Sequence, residues 1–276
     1  MLVMFGLSPL LIVALGAMLL MLAEAFATKR SGLALGATVT FVAGLAMSAS
    51  VWFYGVESIE GLASLQPWLT IDRFSLFFDG VLCLGGALAA LLAGGYLPEH
   101  DMERGEFYAL LLFATFGAMM LASSGDLLTL FLGLETMSIG AYAMTAFRRT
   151  SPRSAEGALK YFLLGSFAAA IMLYGFALLY GATGHTDLAG IGRAVQSGAK
   201  TPMLLISLVL VLVGLAFKVS AVPFHMWTPD AYEGAPTPAT TYMAVAVKTG
   251  AFAMMLRVLL VAFGDPQSMS WSAGWP

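Results

Sequence analysis

The chain is poor in charge, nearly without cysteine, and lacks the short motifs by which soluble enzymes hold nucleotides, metals or clusters. Only 11% of its 276 residues are Asp, Glu, Lys or Arg, 59% are hydrophobic, and the mean hydropathy is +0.86. Such values lie far from the ordinary soluble mixture and mark an integral membrane protein. Cys83, the single cysteine, sits inside an apolar run and reads as a small buried core thiol, which excludes a disulfide framework and a cysteine metal site. No GxxxxGKS/T loop, strand-borne GxGxxG, CxxC cluster or HExxH is found, so nucleotide binding, iron–sulfur ligation and zinc chemistry have no support. His100 and His185 fall in loops, leaving no helical histidine pair for haem. A net charge of −3 with scattered basic residues gives no footprint for nucleic acid.

What the chain does have is long apolar runs. A spanning helix needs about 20 predominantly apolar residues, and eight segments qualify: Phe5–Phe26, Leu33–Tyr54, Phe74–Leu97, Phe107–Ser124, Leu127–Phe147, Ala158–Tyr180, Met203–Tyr232 and Ala239–Phe263. The first lacks the basic flank and small-residue cleavage site of a secretory signal, so it is expected to be a retained span. The expected fold is an all-α, polytopic transmembrane helix bundle. Its seventh span is too long for one straight crossing and contains Pro223 and Pro229, each lacking an amide donor, which predicts a break near Pro223. Breaks survive in a membrane only where protein or a wet cavity satisfies the freed carbonyls.

The basic residues predict an orientation. With the N-terminus outside, the inner loops hold Lys29, Arg30, Arg104, Arg148, Arg149 and Arg153, against Arg73, Arg193 and Lys200 outside. Lys160 and Arg257 lie close to the ends of spans, where snorkelling accounts for them.

Glu135, Lys218 and Lys248 are different, because each falls near the middle of a span. A charge there costs roughly 2.5–3.5 kcal/mol on insertion scales, and its retention points to work done inside the membrane. Thr136, Ser138 and Tyr142 place hydroxyls within two turns of Glu135, with Ser138 on its own face. Burial disfavours a lysine's charge and a nearby carboxylate favours it, so movement of Glu135 would switch Lys218 between holding and releasing a proton. The competing reading is static: a neutral glutamic acid joining helices, or a fixed Glu135–Lys218 ion pair. The Lys248 side chain reaches only ~6 Å, too short to find bulk water without a wet path. His225 follows the break, either as a relay between the two lysines or as a backbone clamp. Asp230 and Glu233 read as solvated loop residues near the inner surface, and Asp79 and Glu24 as structural groups.

The stretch Ala216–Pro238, AFKVSAVPFHMWTPDAYEGAPTP, resembles the signature of the antiporter-like membrane subunits of respiratory complex I and related cation/proton antiporters. Within that family Thr228 and Tyr232 are similar to the subunit N type of proton-pumping NADH:quinone oxidoreductase, and FLGLETMSIGAY agrees. By the resemblance, Glu135 matches the fifth-helix glutamate, Lys218 the broken-helix lysine, Lys248 the central lysine of helix 8, and Lys160 a sixth-helix lysine of the subunit N type, which makes Lys160 a possible further relay residue. The resemblance implies a fourteen-helix fold of two inverted five-helix repeats, of which this sequence covers the first. It divides the sequence into helices 1–3 (1–106), the first repeat (107–264) and a short tail (265–276). It also implies a proton-translocating, non-redox subunit in the bacterial inner membrane, without a catalytic site or cofactor of its own. NADH, flavin, iron–sulfur and quinone sites would lie in other subunits, and the partners would be the other membrane subunits of the complex. A cation/proton antiporter, a membrane hydrogenase subunit of the same module, and a non-transporting scaffold or truncated fragment stay open beside it.

Overall fold

In the computed structural model, which describes residues 2–26, 32–197 and 202–264, the regular elements are all helices, with only isolated bridges of strand type between Leu69 and Ser124 and between Asp126 and Asp187. Lys29, Arg30, Lys200 and the expected tail 265–276 lie outside the described residues. Seven helical segments are long and apolar enough to cross a membrane: α1 (Leu2–Phe26), α2 (Leu33–Tyr54), α3 (Arg73–Glu99), α4 (Glu106–Ser123), α5 (Leu127–Thr145), α6 (Pro152–Thr183) and a final composite span, Thr237–Ala262. The eighth apolar helix, α8 (Pro202–Lys218), is shorter because the chain breaks directly after the lysine. Between α6 and α8 a short helix, α7 (Leu188–Gln196), lays Leu188, Ile191 and Val195 against the core.

Polar residues between the apolar runs start these helices. Asp72 caps α3 by accepting the Ser75 amide at 2.8 Å, while the Ser75 hydroxyl accepts the Asp72 amide at 3.0 Å. Asp126 caps α5 through the Leu128 amide at 2.8 Å, and Ser151 with Pro152 opens α6. Because α6 begins at Pro152, Lys160 is more than two turns inside the helix, deeper than the sequence suggests. α4 is the most enclosed span, and its approach to α5 depends on Gly117: a Cβ there would strike the Met137 amide nitrogen and lie 2.6 Å from the Gly133 carbonyl oxygen.

The break expected in the seventh span is present and begins five residues before Pro223. After Lys218 the chain turns through 219–227, with Ser220 in the left-handed region at φ 60°, and resumes as α9 (Thr228–Gly234). Protein groups satisfy the freed backbone: Ser220 N–H donates to the Phe217 carbonyl at 3.1 Å, Ala221 N–H to that of Ala216 at 2.8 Å, and Thr228 N–H to that of His225 at 3.0 Å. Trp227 supplies a side-chain bond, its Nε1–H donating to the Phe217 carbonyl at 3.0 Å. The final span is also irregular, running α10 (Thr237–Tyr242), a π-helical turn (Met243–Val247), α11 (Lys248–Arg257) and a second π turn (Val258–Ala262). Lys248 follows the first π turn directly, the kind of irregularity often found at functional positions.

Candidate functional site

Lys218 is the last residue of α8 and only 2% exposed. Its Nζ donates to Ser138 Oγ at 2.7 Å and stands 3.4 Å from the Tyr142 hydroxyl. Ser138 donates its own hydroxyl hydrogen bond to the Leu134 carbonyl, which leaves its lone pairs for the ammonium. Aromatic faces complete the enclosure, with the rings of Tyr142, Tyr161 and Phe217 at 5.2, 5.6 and 5.8 Å from Nζ. Tyr142 meets Tyr161 edge-on, and Tyr161 is stacked on Trp227 at 4.1 Å and 6°. Gly165 makes room for this arrangement, since a Cβ there would collide with the Tyr142 hydroxyl.

Glu135 shares its helical face with Ser138 and Tyr142, at i+3 and i+7. It is half-buried, and its Oε1 has no hydrogen-bond partner. No ion pair within 4.0 Å joins it to Lys218. The two groups therefore come to one face of α5 without touching, and neutral hydroxyls occupy the position nearest the ammonium.

Lys248 is half-buried, with Nζ 5.7 Å above the Tyr232 ring. The Tyr232 hydroxyl is buried and has no partner in the protein, and the same side chain lines a cavity of about 300 Å³ together with Tyr96, Arg148, Ser151, Arg153 and Thr240. This cavity opens among the basic residues of the Arg148–Arg153 loop.

The remaining expected residues are placed differently from the sequence reading. Lys160 does not simply snorkel: its Nζ lies 2.7 Å from Asp230 Oδ2 and 2.7 Å from Glu156 Oε1. Asp230 accordingly belongs to α9 rather than to a solvated loop, and Glu233 of the same helix faces Arg153 at 3.4 Å. The His225 ring is exposed and makes no hydrogen bond to a described residue, Lys218 and Lys248 included. Pro223 and Pro229 are exposed, and Pro229 lies in the first turn of α9.

Arg257 corrects a further expectation. It is 7% exposed and grips Asp72 with both Nη atoms at 2.6 Å, donates Nε–H to the Ala122 carbonyl at 2.8 Å, and lies 4.6 Å from the Phe74 ring. It is an internal tie among α11, α4 and the start of α3, which spacing from a span end could not reveal. Trp227 and Tyr161 also escaped the sequence reading; a tryptophan inside a polar helix break was the available signal.

An all-helical apolar bundle, with a span broken beside a buried lysine and a glutamate on the facing helix, defines an antiporter-like membrane module. The chain belongs to the NADH:quinone oxidoreductase/Mrp antiporter transmembrane family, which matches residues 124–273. It is similar to NADH-quinone oxidoreductase subunit N 1 of Sorangium cellulosum, at 67% identity over 98% of this chain and 56% of that protein. Subunit N of Myxococcus xanthus is 43% identical over 95% of this chain and 51% of its own length. Among solved structures, respiratory complex I from Thermus thermophilus with bound aureothin contains a chain that aligns with a TM-score of 0.74 and 34% identity, over 91% of this chain and 53% of that one. The Mrp complex from Dietzia sp. shares the fold, with a TM-score of 0.77 at 23% identity over 94% of this chain and 49% of that one. The chain spans about half the length of the curated relatives it matches.

Proposed function

We propose that the chain is a proton-translocating membrane subunit of an NADH:quinone oxidoreductase, acting with other membrane subunits and driven by quinone reduction elsewhere in the complex. The reading places it in the bacterial inner membrane, N-terminus outside, with 107–264 as the first of two repeats and without a redox cofactor of its own. One observation carries it: an almost fully enclosed lysine is bonded to neutral hydroxyls, with its carboxylate on the same helical face but out of contact. A static ion pair would close that gap. A switch needs it open, because the lysine's charge can respond to Glu135 only while Glu135 is free to approach or withdraw.

In this reading Glu135 modulates Lys218, and Lys248 passes protons onward. Water in the cavity beside Tyr232 would connect Lys248 to the Arg148–Arg153 side. Lys160, held by Asp230 and Glu156, fixes α6 to α9 and supports the break rather than carrying protons.

The test uses Lys218→Met and Lys218→Arg in the assembled complex. Methionine keeps an unbranched chain of similar bulk without a titrating amine, and arginine keeps a charge it cannot release. Both variants are expected to assemble and to lose pumping. A structural ion pair predicts the opposite ranking, with Arg tolerated and Met costing assembly; normal pumping by Lys218→Met ends the relay reading.

A further inference from the structure

Asp79, on the buried face of α3 with Leu76, Leu82 and Cys83, is 0% exposed, and neither of its carboxylate oxygens has a hydrogen-bond partner in the protein. It is the only carboxylate among the described residues with both oxygens in that condition. Buried polar groups are paired as a rule, and an ionised carboxylate so enclosed is far costlier than an amide or a hydroxyl. A group that only held helices together would show the bonds by which it does so. An ionisable residue kept inside a membrane without such bonds is by default a candidate for function.

The surroundings supply a route to it. Asp79 lies seven residues, about two helical turns, beyond Asp72. Asp72, the N-cap of the same helix, is held by Arg257 through two hydrogen bonds of 2.6 Å. Arg257 in turn lines a cavity of about 570 Å³ with Thr70, Ser124, Asp187 and Arg193, on the far side of the bundle from the Tyr232 cavity in the expected topology. The Arg257–Asp72 pair thus joins the lining of a polar cavity to the start of the helix that carries the buried, unpartnered acid. Towards the other end of α3, Cys83 shares the buried face of Asp79 at i+4, and α3 packs on α10, whose Tyr242 hydroxyl is 3.0 Å from that of Thr115 and which lies on the same span as Lys248.

We propose that Asp79 is a proton-carrying residue on the Arg257 side of the bundle, exchanging its proton with the polar cavity beneath Arg193 and Arg257. The step is one of proton transfer alone: the O–H bond of the neutral acid breaks, the proton passes to water of the cavity, and the carboxylate left behind is compensated by Arg257 as it loosens from Asp72. Reprotonation from the Tyr242–Thr115 side restores the acid. The inference rests on the chain being part of a proton-translocating complex.

The experiment compares Asp79→Asn, Asp79→Glu and Lys218→Met in the whole complex, measuring subunit abundance, protons pumped per electron, and the turnover-induced infrared difference spectrum. Asp79→Asn keeps the shape and removes the exchangeable proton. Most pumping per assembled complex is expected to be lost, together with the carbonyl band of a protonated carboxylic acid, and Asp79→Glu is expected to restore part of both. Normal pumping by Asp79→Asn, or lower abundance with unchanged pumping per assembled complex in both Asp79 variants, overturns the proposal. If Lys218→Met also pumps normally, the relay reading itself has failed; if Lys218→Met is dead and Asp79→Asn is normal, only the role of Asp79 falls.

Discussion

Trp227 is the residue on which the geometry of the break depends most directly, and its replacement gives a graded test. Its ring is 1% exposed, lies on Tyr161 at 4.1 Å and beside Phe217 at 5.4 Å, and its Nε1–H reaches the Phe217 carbonyl at 3.0 Å. Trp227→Phe keeps an aromatic face for Tyr161 but loses the hydrogen bond. Because the same carbonyl also accepts the Ser220 amide at 3.1 Å, that loss falls near the low end, about 1 kcal/mol. The smaller ring leaves roughly 40 Å³ unfilled, for about 1 kcal/mol more. Trp227→Ala removes the whole indole as well, a change that costs about 3–5 kcal/mol in enclosed sites before the lost hydrogen bond is added. Thermal stability of the purified complex and the subunit retained in it should therefore fall in the order Trp, Phe, Ala, with Phe closer to Trp. Pumping per assembled complex should follow, since Tyr161 and Phe217 both face the Lys218 ammonium. Full retention and stability of Trp227→Ala, or a Phe variant as damaged as the Ala variant, refutes the assignment of the break's stability to this stack.

Two other expectations rest on separate parts of the bundle. Arg257→Met leaves the partly exposed Asp72 without its partner and opens the tie to Ala122, a loss of about 1.5–3 kcal/mol, the scale of a hydrogen bond to a charged group; thermal denaturation of the single and double variants with Asp72→Asn should show the second change costing much less once the first is present, and strict additivity would contradict the pairing. Tyr232→Phe preserves the ring beneath Lys248 while removing a buried, unpartnered hydroxyl on a side chain that lines the cavity, so subunit amounts should hold and, in the proposed path, the initial rate of pumping should drop; an unchanged rate removes that hydroxyl from the path.

Much of the bundle was legible because membrane insertion leaves a strong one-dimensional signal. Apolar runs such as Leu33–Tyr54 and Leu127–Thr145 appear in the structure within a few residues of their expected bounds, and the excess length of Met203–Tyr232 did mark a break. Its starting point was less accessible. Proline draws attention to position 223, whereas the helix ends at Lys218, where Trp227 and the amides of Ser220 and Ala221 take the last carbonyls. The two π turns of the final span leave no comparable trace, because they alter bond pairing without altering hydropathy. Partner choice was the least legible level. Arg257, Lys160 and Asp230 lie near the ends of apolar segments, where sequence favours solvent, yet their partners are 185 and 70 positions away along the chain. For Glu135, Ser138 and Tyr142 the helical period was enough to show a common face, but not that a lysine from α8 would rest on the hydroxyls rather than the carboxylate.

The location of the break at Lys218 itself, and not at the proline, follows from what a helix end provides. At the last residue of α8 the ammonium meets the negative end of the helix dipole, a favourable effect of about 0.3–1 kcal/mol at exposed ends and up to ~2 kcal/mol in partly buried ones. The hydrogen bond to Ser138 adds about 1.5–3 kcal/mol to the charged form. Desolvating one ion costs several kcal/mol even after relaxation, so these two contributions bring the charged amine close to balance without settling it. A full countercharge in contact would settle it in favour of a fixed ion pair, and an entirely apolar pocket would settle it in favour of a permanently neutral amine. The hydroxyls of Ser138 and Tyr142 occupy the middle ground, and Glu135 stands on the same face with an unpartnered oxygen able to tip the balance. A proton switch requires near-degeneracy of its two states, and in the proposed relay the helix end, the serine and the withheld carboxylate are the groups that would supply it at Lys218.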